Sequence, residues 1–108
     1  MNTHLKMYVL VRKDLDETYR IVQGSHAVAE LSLRGDVESF KSWNNSTIVF
    51  LAVPNEQTLN LWSLKLSDKN KAFVKWHEPD LNGQITAIAC IDEGEVFKKL
   101  NLAKWFGY

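Results

Sequence analysis

The stretch MYVLVRKDL at residues 7–15, followed eight positions later by QGSHA at residues 23–27, decides the fold of this chain. Residues 5–11 end in a continuous apolar run, which is typical of a strand that is covered on both faces. Asp14, with Glu17 three residues later, predicts a capped helix over residues 17–33. The beginning of the chain is therefore predicted to be a buried strand followed by a helix.

The next segment repeats this pattern. Residues 47–53 are apolar at nearly every position and predict a second central strand. Asn55 can cap a helix over residues 56–66. Two buried strands joined by a helix indicate parallel pairing with a right-handed crossover.

Three more elements complete the predicted order β-α-β-α-β-β-α. Residues 72–76 and 85–91 predict two strands, and the turn-rich connection between them suits an antiparallel pair. The tail at residues 93–105 predicts a third helix, with acidic residues early and lysines late, as the helix dipole prefers. We expect a single three-layer α/β domain over residues 1–108 with a mixed four-stranded sheet.

Composition restricts the function classes. The chain has 13 basic and 13 acidic residues, so no global positive field would attract nucleic acid, and an RNA contact would need a local patch. The nearest approach to such a patch is formed by Lys65, Lys69, Lys71 and Lys75, which a solvated face explains about as well. The single cysteine, Cys90, lies in an apolar run, where a buried and inert thiol is expected.

Features of a membrane or secreted protein are missing from the sequence pattern. No apolar stretch reaches the roughly 18 residues of a membrane span, and the polar start lacks the apolar region of a signal peptide. We therefore expect a cytoplasmic protein without a membrane partner.

The two motifs at residues 7–15 and 23–27, together with the order of elements, resemble the second, archaeal and eukaryotic family of peptidyl-tRNA hydrolases. In that family the first strand reads like Val-Leu-Val-Arg-x-Asp-Leu, and the first helix carries Lys-x-Ala-Ala-Gln-x-x-His-Ala. The likeness spans most of the chain, and its compressed loops suit a short, divergent, phage-encoded member. The resemblance implies a domain, often dimeric, that hydrolyses the ester between a peptide and the terminal ribose of tRNA without a cofactor.

Several functional positions of that family have matches here. Gln23 and His26 match the helix motif, and Thr86 matches a threonine of the last strand. Asp80 matches the aspartate of the preceding loop with a displacement of one position, and Gly83 replaces a threonine there. The resemblance thus implies that Gln23, His26, Thr86 and Asp80 form the polar wall of a site.

The family's lysine is not retained. Its position, four residues before the glutamine, holds Tyr19, which lacks the permanent positive charge that stabilises a developing oxyanion. Arg20 is adjacent and is the candidate replacement. The preceding connection also lacks the family's Gly/Lys-rich turn, which removes basic groups that would contact phosphates.

A polar stripe on the first predicted helix is a further indication of a binding or catalytic site, besides the resemblance. Tyr19, Gln23, His26 and Glu30 follow helical spacing and share one face, which is either the floor of a site or simply a solvated surface. Histidine changes charge near neutral pH, so His26 could act as acid or base.

The loop at residues 78–84 is rich in polar groups. It can hold a ligand through Asn82 and Gln84 beside Asp80, or it can be a rigid turn. His77 and Glu78, taken with the helix residues, do not follow a recognised metal-ligand spacing, so no metal is expected.

These observations give one leading hypothesis and two alternatives. The first is a hydrolase of peptidyl- or aminoacyl-tRNA esters, in which the catalytic group is Gln23, His26, Asp80, Thr86 and Arg20. The ligand would also meet Tyr19, Glu30, Asn82 and Gln84, and the resemblance suggests a homodimer. The second hypothesis is an inactive member that binds or sequesters a nucleotide-like small molecule. The third is a structural interaction module that uses its tryptophans.

Overall fold

A computed structural model of the protein describes residues 4–100. Over this range the chain is a small α/β domain with a mixed, open four-stranded sheet and three α-helices. The strands are β1 (Lys6–Arg12), β2 (Thr47–Val53), β3 (Phe73–Glu78) and β4 (Gln84–Asp92), and the helices are α1 (Glu17–Arg34), α2 (Val37–Trp43) and α3 (Glu56–Asp68). Two single turns of 3₁₀ helix lie at Pro79–Leu81 and Glu95–Phe97.

The sheet has the order β2-β1-β4-β3. β1 pairs with β2 in parallel, and β4 pairs antiparallel with both β1 and β3. The predicted mixed sheet is therefore confirmed, with β1 and β4 side by side at its centre. The prediction that residues 47–53 form a central strand is wrong, because β2 lies at the edge of the sheet and pairs only with β1. Its continuous apolar run reflects contact with the apolar cores on both faces of the sheet.

Two apolar cores cover the two faces of the sheet. Met7, Val9 and Val11 of β1 belong to the core that α1 closes through Ala27 and Leu31. The intervening residues of β1 belong to the core that α3 closes through its own leucines: this second core includes Tyr8, Leu10, Leu59 and Leu66. Because β1 is buried on both faces, it is apolar at consecutive positions rather than at alternate ones.

The N-terminal cap of α1 differs from the prediction. Asp16, not Asp14, accepts a hydrogen bond from the backbone N–H of Tyr19 at 2.9 Å. Asp14 instead receives two hydrogen bonds from the guanidinium of Arg12, at 2.9 and 2.8 Å. A bidentate arginine–carboxylate pair is a stronger interaction than a cap, and it holds Asp14 before the helix begins.

The prediction missed α2, which follows α1 after Gly35. Asp36 caps this seven-residue helix by accepting from the N–H of Ser39, and Asn44 ends it in the left-handed conformation. The helix is anchored by Trp43, which is buried and donates its indole N–H to the carbonyl of Thr47 at 2.8 Å. Its polar sequence gave little periodicity from which to predict it.

The predicted third helix over residues 93–105 is wrong for the part that the structure describes. There the tail forms only the 3₁₀ turn at Glu95–Phe97, and residues 101–105 lie outside the described range. Gly94 has a φ of 102°, a value that a continuing α-helix cannot contain. The buried ring of Phe97 packs 4.8 Å from that of Tyr8 and fixes the tail to the sheet.

Candidate functional site

Three polar side chains that are far apart in the sequence meet between α1 and the sheet. The amide of Gln23 donates to Glu78 Oε1 at 2.8 Å, and its carbonyl accepts from the hydroxyl of Thr86 at 2.6 Å. Gln23 and Thr86 have no exposed surface, and Glu78 is 6% exposed. We call these three residues the polar cluster.

An irregularity in the β3–β4 pairing turns Thr86 toward α1. Trp76 pairs with Ala87 and His77 pairs with Ile85, so Thr86 is an extra residue on β4. Ile85 and Ile88 belong to the α3-side core, whereas Ala87 belongs to the α1-side core. With this β-bulge, Thr86 and Ala87 both lie on the α1 side, where the hydroxyl reaches Gln23.

Glu78 is the member of the polar cluster closest to solvent. Its Oε2 accepts from the backbone N–H of Asp80 at 3.1 Å, and its Oε1 also lies 3.5 Å from the indole nitrogen of Trp76. The N–H of Asp80, followed by the amide of Gln23, lowers the pKa of Glu78 because both donate to the charged form. The carboxylate is therefore ionised at neutral pH.

The polar stripe of α1 lies along the border between the sheet contact and solvent: Gln23 is buried, Tyr19 and Glu30 are half-buried, and His26 is exposed. The imidazole of His26 stacks on the ring of Trp76, with centroids 4.6 Å apart and planes inclined by 15°. Gln23 is buried, so the solvated-surface interpretation of the stripe is wrong at that position. On the same helix, the apolar residues Ile21 and Val22 are 44% and 43% exposed.

Tyr19 lies at the acidic edge of the polar cluster. Desolvation, and then the negative charges of Glu78, Asp80 and Asp16, raise the pKa of its hydroxyl. A raised pKa keeps the phenol protonated at neutral pH, so Tyr19 is a hydrogen-bond donor there.

Other candidate residues are engaged outside the polar cluster. Arg20 donates to the backbone carbonyls of Leu15 and Lys13, at 2.6 and 2.9 Å. Glu30 forms an ion pair with Arg34 at 2.6 Å. Asn82 adopts a left-handed conformation at the end of the turn Pro79–Leu81.

Gln84 belongs to a second polar group, centred on Arg12. The Arg12 guanidinium donates to Gln84 Oε1 at 2.9 Å and to the carbonyl of Ile85 at 3.1 Å, in addition to its pair with Asp14. The N–H of Ile85 donates to Glu56 at 3.0 Å. Arg12 is 6% exposed and joins the end of β1 to the start of β4, which gives this motif residue a structural task.

Sequence reasoning missed Glu78 as a site residue. It was assigned to a loop because β3 was predicted to end at residue 76, two residues early. Trp76 and Glu78 are two positions apart in β3, so they share a face of the strand, and that face is the one beneath α1. The spacing of these two residues was the available signal.

Between residues 4 and 100, no three His, Cys, Asp or Glu side chains are grouped so that they could hold a metal ion. Within the same range, none of the helices has the length and apolar character needed to cross a membrane.

The sequence was compared with protein families and with curated proteins. No protein family matches this chain. No curated protein has significant sequence similarity to it.

The chemistry available at the polar cluster is limited to the side chains at its outer edge. Gln23 and Thr86 are enclosed and act on a ligand only by orienting Glu78. The ionised carboxylate of Glu78 lies near enough for charge interaction to the protonated phenol of Tyr19 and to the imidazole of His26, which stacks on the indole of Trp76. Such groups can accept a proton, donate a hydrogen bond and position a polar ligand.

Proposed function

We propose that this chain is a peptidyl-tRNA hydrolase-like protein that hydrolyses the ester between a peptidyl or aminoacyl group and tRNA. The observation that carries the proposal is the hydrogen-bonded chain from Thr86 through Gln23 to Glu78. The resemblance implies functional roles for Gln23 and Thr86, and the two are in direct contact although 63 residues separate them.

The buried members of the polar cluster are positioning residues in this proposal. The Gln23 amide donates to Glu78 and accepts from Thr86, so the carboxylate has one fixed orientation. The backbone N–H of Asp80 holds its other oxygen. A carboxylate fixed in this way loses little conformational entropy when it meets a water molecule and an ester.

The hydrolytic step uses the groups at the outer edge. A water molecule attacks the ester carbonyl carbon, and Glu78 or His26 accepts a proton from that water. The bond from the carbonyl carbon to the ribose oxygen then breaks, and the ribose oxygen takes up the proton that the same group had accepted from the water, which regenerates the base. The protonated hydroxyl of Tyr19 donates to the oxyanion at the position of the family's lysine. Arg20 is the weaker candidate for this role, because its guanidinium is held by the backbone carbonyls of Leu15 and Lys13.

A second function is favoured by the charges around Tyr19. Glu78, Asp80 and Asp16 all act on this hydroxyl, and a negative surrounding disfavours a developing oxyanion. The same site would suit a nucleoside, because ribose hydroxyls donate to carboxylates and a base can stack on aromatic rings. In this alternative the protein binds or sequesters a nucleotide-like small molecule without hydrolysing it.

Single-turnover hydrolysis of an N-acetyl-aminoacyl-tRNA separates the two functions. We expect Glu78→Gln to lower the rate by about 100-fold or more if the carboxylate is the general base. Tyr19→Phe should also lower the rate of hydrolysis, whereas Arg20→Ala should hydrolyse the substrate at about the wild-type rate.

Matched controls use the same chemical changes elsewhere. Glu38→Gln alters an exposed carboxylate on α2, and Tyr8→Phe alters a tyrosine in the opposite core. Both should hydrolyse the substrate at the wild-type rate. A folded wild-type protein that never cleaves the ester would refute the hydrolase proposal. An intact nucleotide-like molecule recovered from the purified protein would then support the alternative.

A further inference from the structure

A concave surface lies between the end of α3 and the residues that follow β4. This groove has a volume of about 390 Å³. Its lining consists of Trp62, Lys65, Lys69, Lys71, Glu95, Val96, Lys98 and Lys99. We call it the lysine groove.

The apolar residues at the floor of the lysine groove pack against the α3-side core. Trp62 and Val96 pack against the α3-side core, and the rings of Trp62 and Phe97 are 5.5 Å apart. Gln23 approaches the sheet from the α1 side. The lysine groove and the polar cluster therefore lie on opposite faces of the sheet.

The charge of the lysine groove contrasts with that of the whole chain. The chain is formally neutral, yet five of its 13 basic residues line this one groove, with a single acidic residue among them. Such clustering creates a local positive potential that net charge does not reveal. The local patch that an RNA contact would need is thus present, and it includes Lys65, Lys69 and Lys71 of the predicted patch.

Ion pairs neutralise only part of this charge. Lys71 pairs with Asp92 at 2.8 Å and Lys98 pairs with Glu95 at 2.6 Å. Lys65 lies over the ring of Trp62, 4.7 Å from its centroid. Within residues 4–100, neither Lys69 nor Lys99 forms an ion pair. The ammonium groups of Lys65, Lys69 and Lys99 therefore keep a positive charge that no carboxylate in this range neutralises, and they can bind an external anion.

We propose that the lysine groove binds the phosphate backbone of a single nucleic-acid strand. Its lysines come from two parts of the chain, the end of α3 with the loop that follows it and the segment after β4, so the positive charge extends along the groove instead of surrounding one point. An extended polyanion matches that distribution better than one isolated phosphate. Basic grooves that also contain an aromatic ring are the usual means of binding single strands without sequence preference.

This binding site goes beyond the proposed function and does not depend on it. The test needs no turnover, because it measures the anisotropy of an end-labelled oligouridine titrated with the full chain. An oligothymidine of equal length shows whether the strand is RNA or DNA, and either one supports the shared phosphate chemistry. Contacts with three lysines predict that affinity falls by roughly tenfold to twentyfold between about 50 and 200 mM salt.

Charge-reversal variants localise the contact. Lys69→Glu with Lys99→Glu should weaken binding by more than about tenfold at low salt. Lys13→Glu with Lys41→Glu changes the net charge equally at exposed positions outside the groove and should bind like wild type. Circular dichroism and urea unfolding confirm that both variants are folded.

Three results would overturn the proposal. The first is no binding of either oligonucleotide at low salt. The second is equal weakening in the two double variants, which would indicate attraction by net charge alone. The third is a phosphopeptide that binds in a Lys69-dependent manner while neither oligonucleotide binds, which would assign the groove to a protein partner.

Discussion

The hydroxyl of Thr86 donates a 2.6 Å hydrogen bond to the side-chain carbonyl of Gln23, and both residues are fully buried. This contact joins β4 to α1 and leaves the Gln23 amide directed at Glu78. The stability of the domain and the orientation of its candidate carboxylate therefore depend on the same hydrogen bond.

Replacement of Thr86 by valine tests that dependence. Thr86→Val keeps a β-branched side chain but leaves the Gln23 carbonyl without its buried donor, which costs about 1–3 kcal/mol of unfolding free energy. Urea denaturation measures the loss. Thr18→Val, at an exposed position of α1, should change the free energy by less than about 0.5 kcal/mol. Equal stabilities of the two variants would show that the buried hydrogen bond contributes nothing net.

Gly24 leaves room on α1 for the ring of Phe50, which comes from β2. A Cβ atom at this position would overlap the ring of Phe50. Gly24→Ala should therefore destabilise the protein, because overpacking costs about 1–3 kcal/mol and exceeds the helix-propensity gain of about 1 kcal/mol. Thermal unfolding measures the outcome.

A second substitution isolates the steric cause at Gly24. Phe50→Leu shortens the opposing side chain, so adding Gly24→Ala to it should be less harmful than adding Gly24→Ala to wild type. A more stable Gly24→Ala protein would mean that the Phe50 ring moves aside without cost.

Glu78 should make the fold sensitive to acid. Its pKa is lowered in the folded protein, chiefly by the N–H of Asp80 and the amide of Gln23. The resulting stabilisation is fully present above the ordinary pKa of 4.5 and is lost as the pH falls through the lower folded-state value. Urea midpoints at neutral pH and below this range should differ less in Glu78→Gln than in wild type. Glu38→Gln should retain the wild-type difference, and identical acid sensitivity in all three proteins would contradict the assignment.

Cys90 should be chemically silent in the folded protein. Burial, and then the charge of Asp92, raise the pKa of its thiol to about 12, and its Sγ donates to the carbonyl of Ala72 at 3.4 Å. Because the thiolate is the reactive form, a thiol reagent at neutral pH should modify the native protein far more slowly than the urea-unfolded one. Cys90 is the only cysteine, so the reaction reports on it alone. Equal rates in the two states would disprove its burial.

The local signals in the sequence were sufficient for several elements. The apolar run at Thr47–Val53 gave the bounds of β2, and Asn55 caps α3 as its side-chain chemistry predicts. α1 begins at Glu17 as predicted and ends at Arg34, one residue later than expected. Each of these signals is contained in a few adjacent residues, so it needs no knowledge of the rest of the chain.

Local sequence signals predicted only some of the residues of the candidate site. Gln23, His26 and Thr86 were identified through the motifs that they occupy, and Tyr19 through its place on the helix stripe. Glu78 was missed because the end of β3 is set by pairing with β4, where Glu78 lies opposite Gln84. Local propensity cannot fix a strand end that depends on a partner strand.

Sequence alone therefore determined the four strands, α1 and α3 in their order, and the polar stripe of α1, since hydrophobic period and capping act over one or two turns. Tertiary structure decided that Gln23 of this stripe is buried, that Glu78 and Thr86 are its partners, and that five lysines line one groove. The bulge at Thr86 and the contact of Gln23 with Glu78 depend on residues that become neighbours only when the sheet pairs and α1 packs on it. Buried polar groups must find partners, and the identity of each partner is set by packing over long separations in the chain.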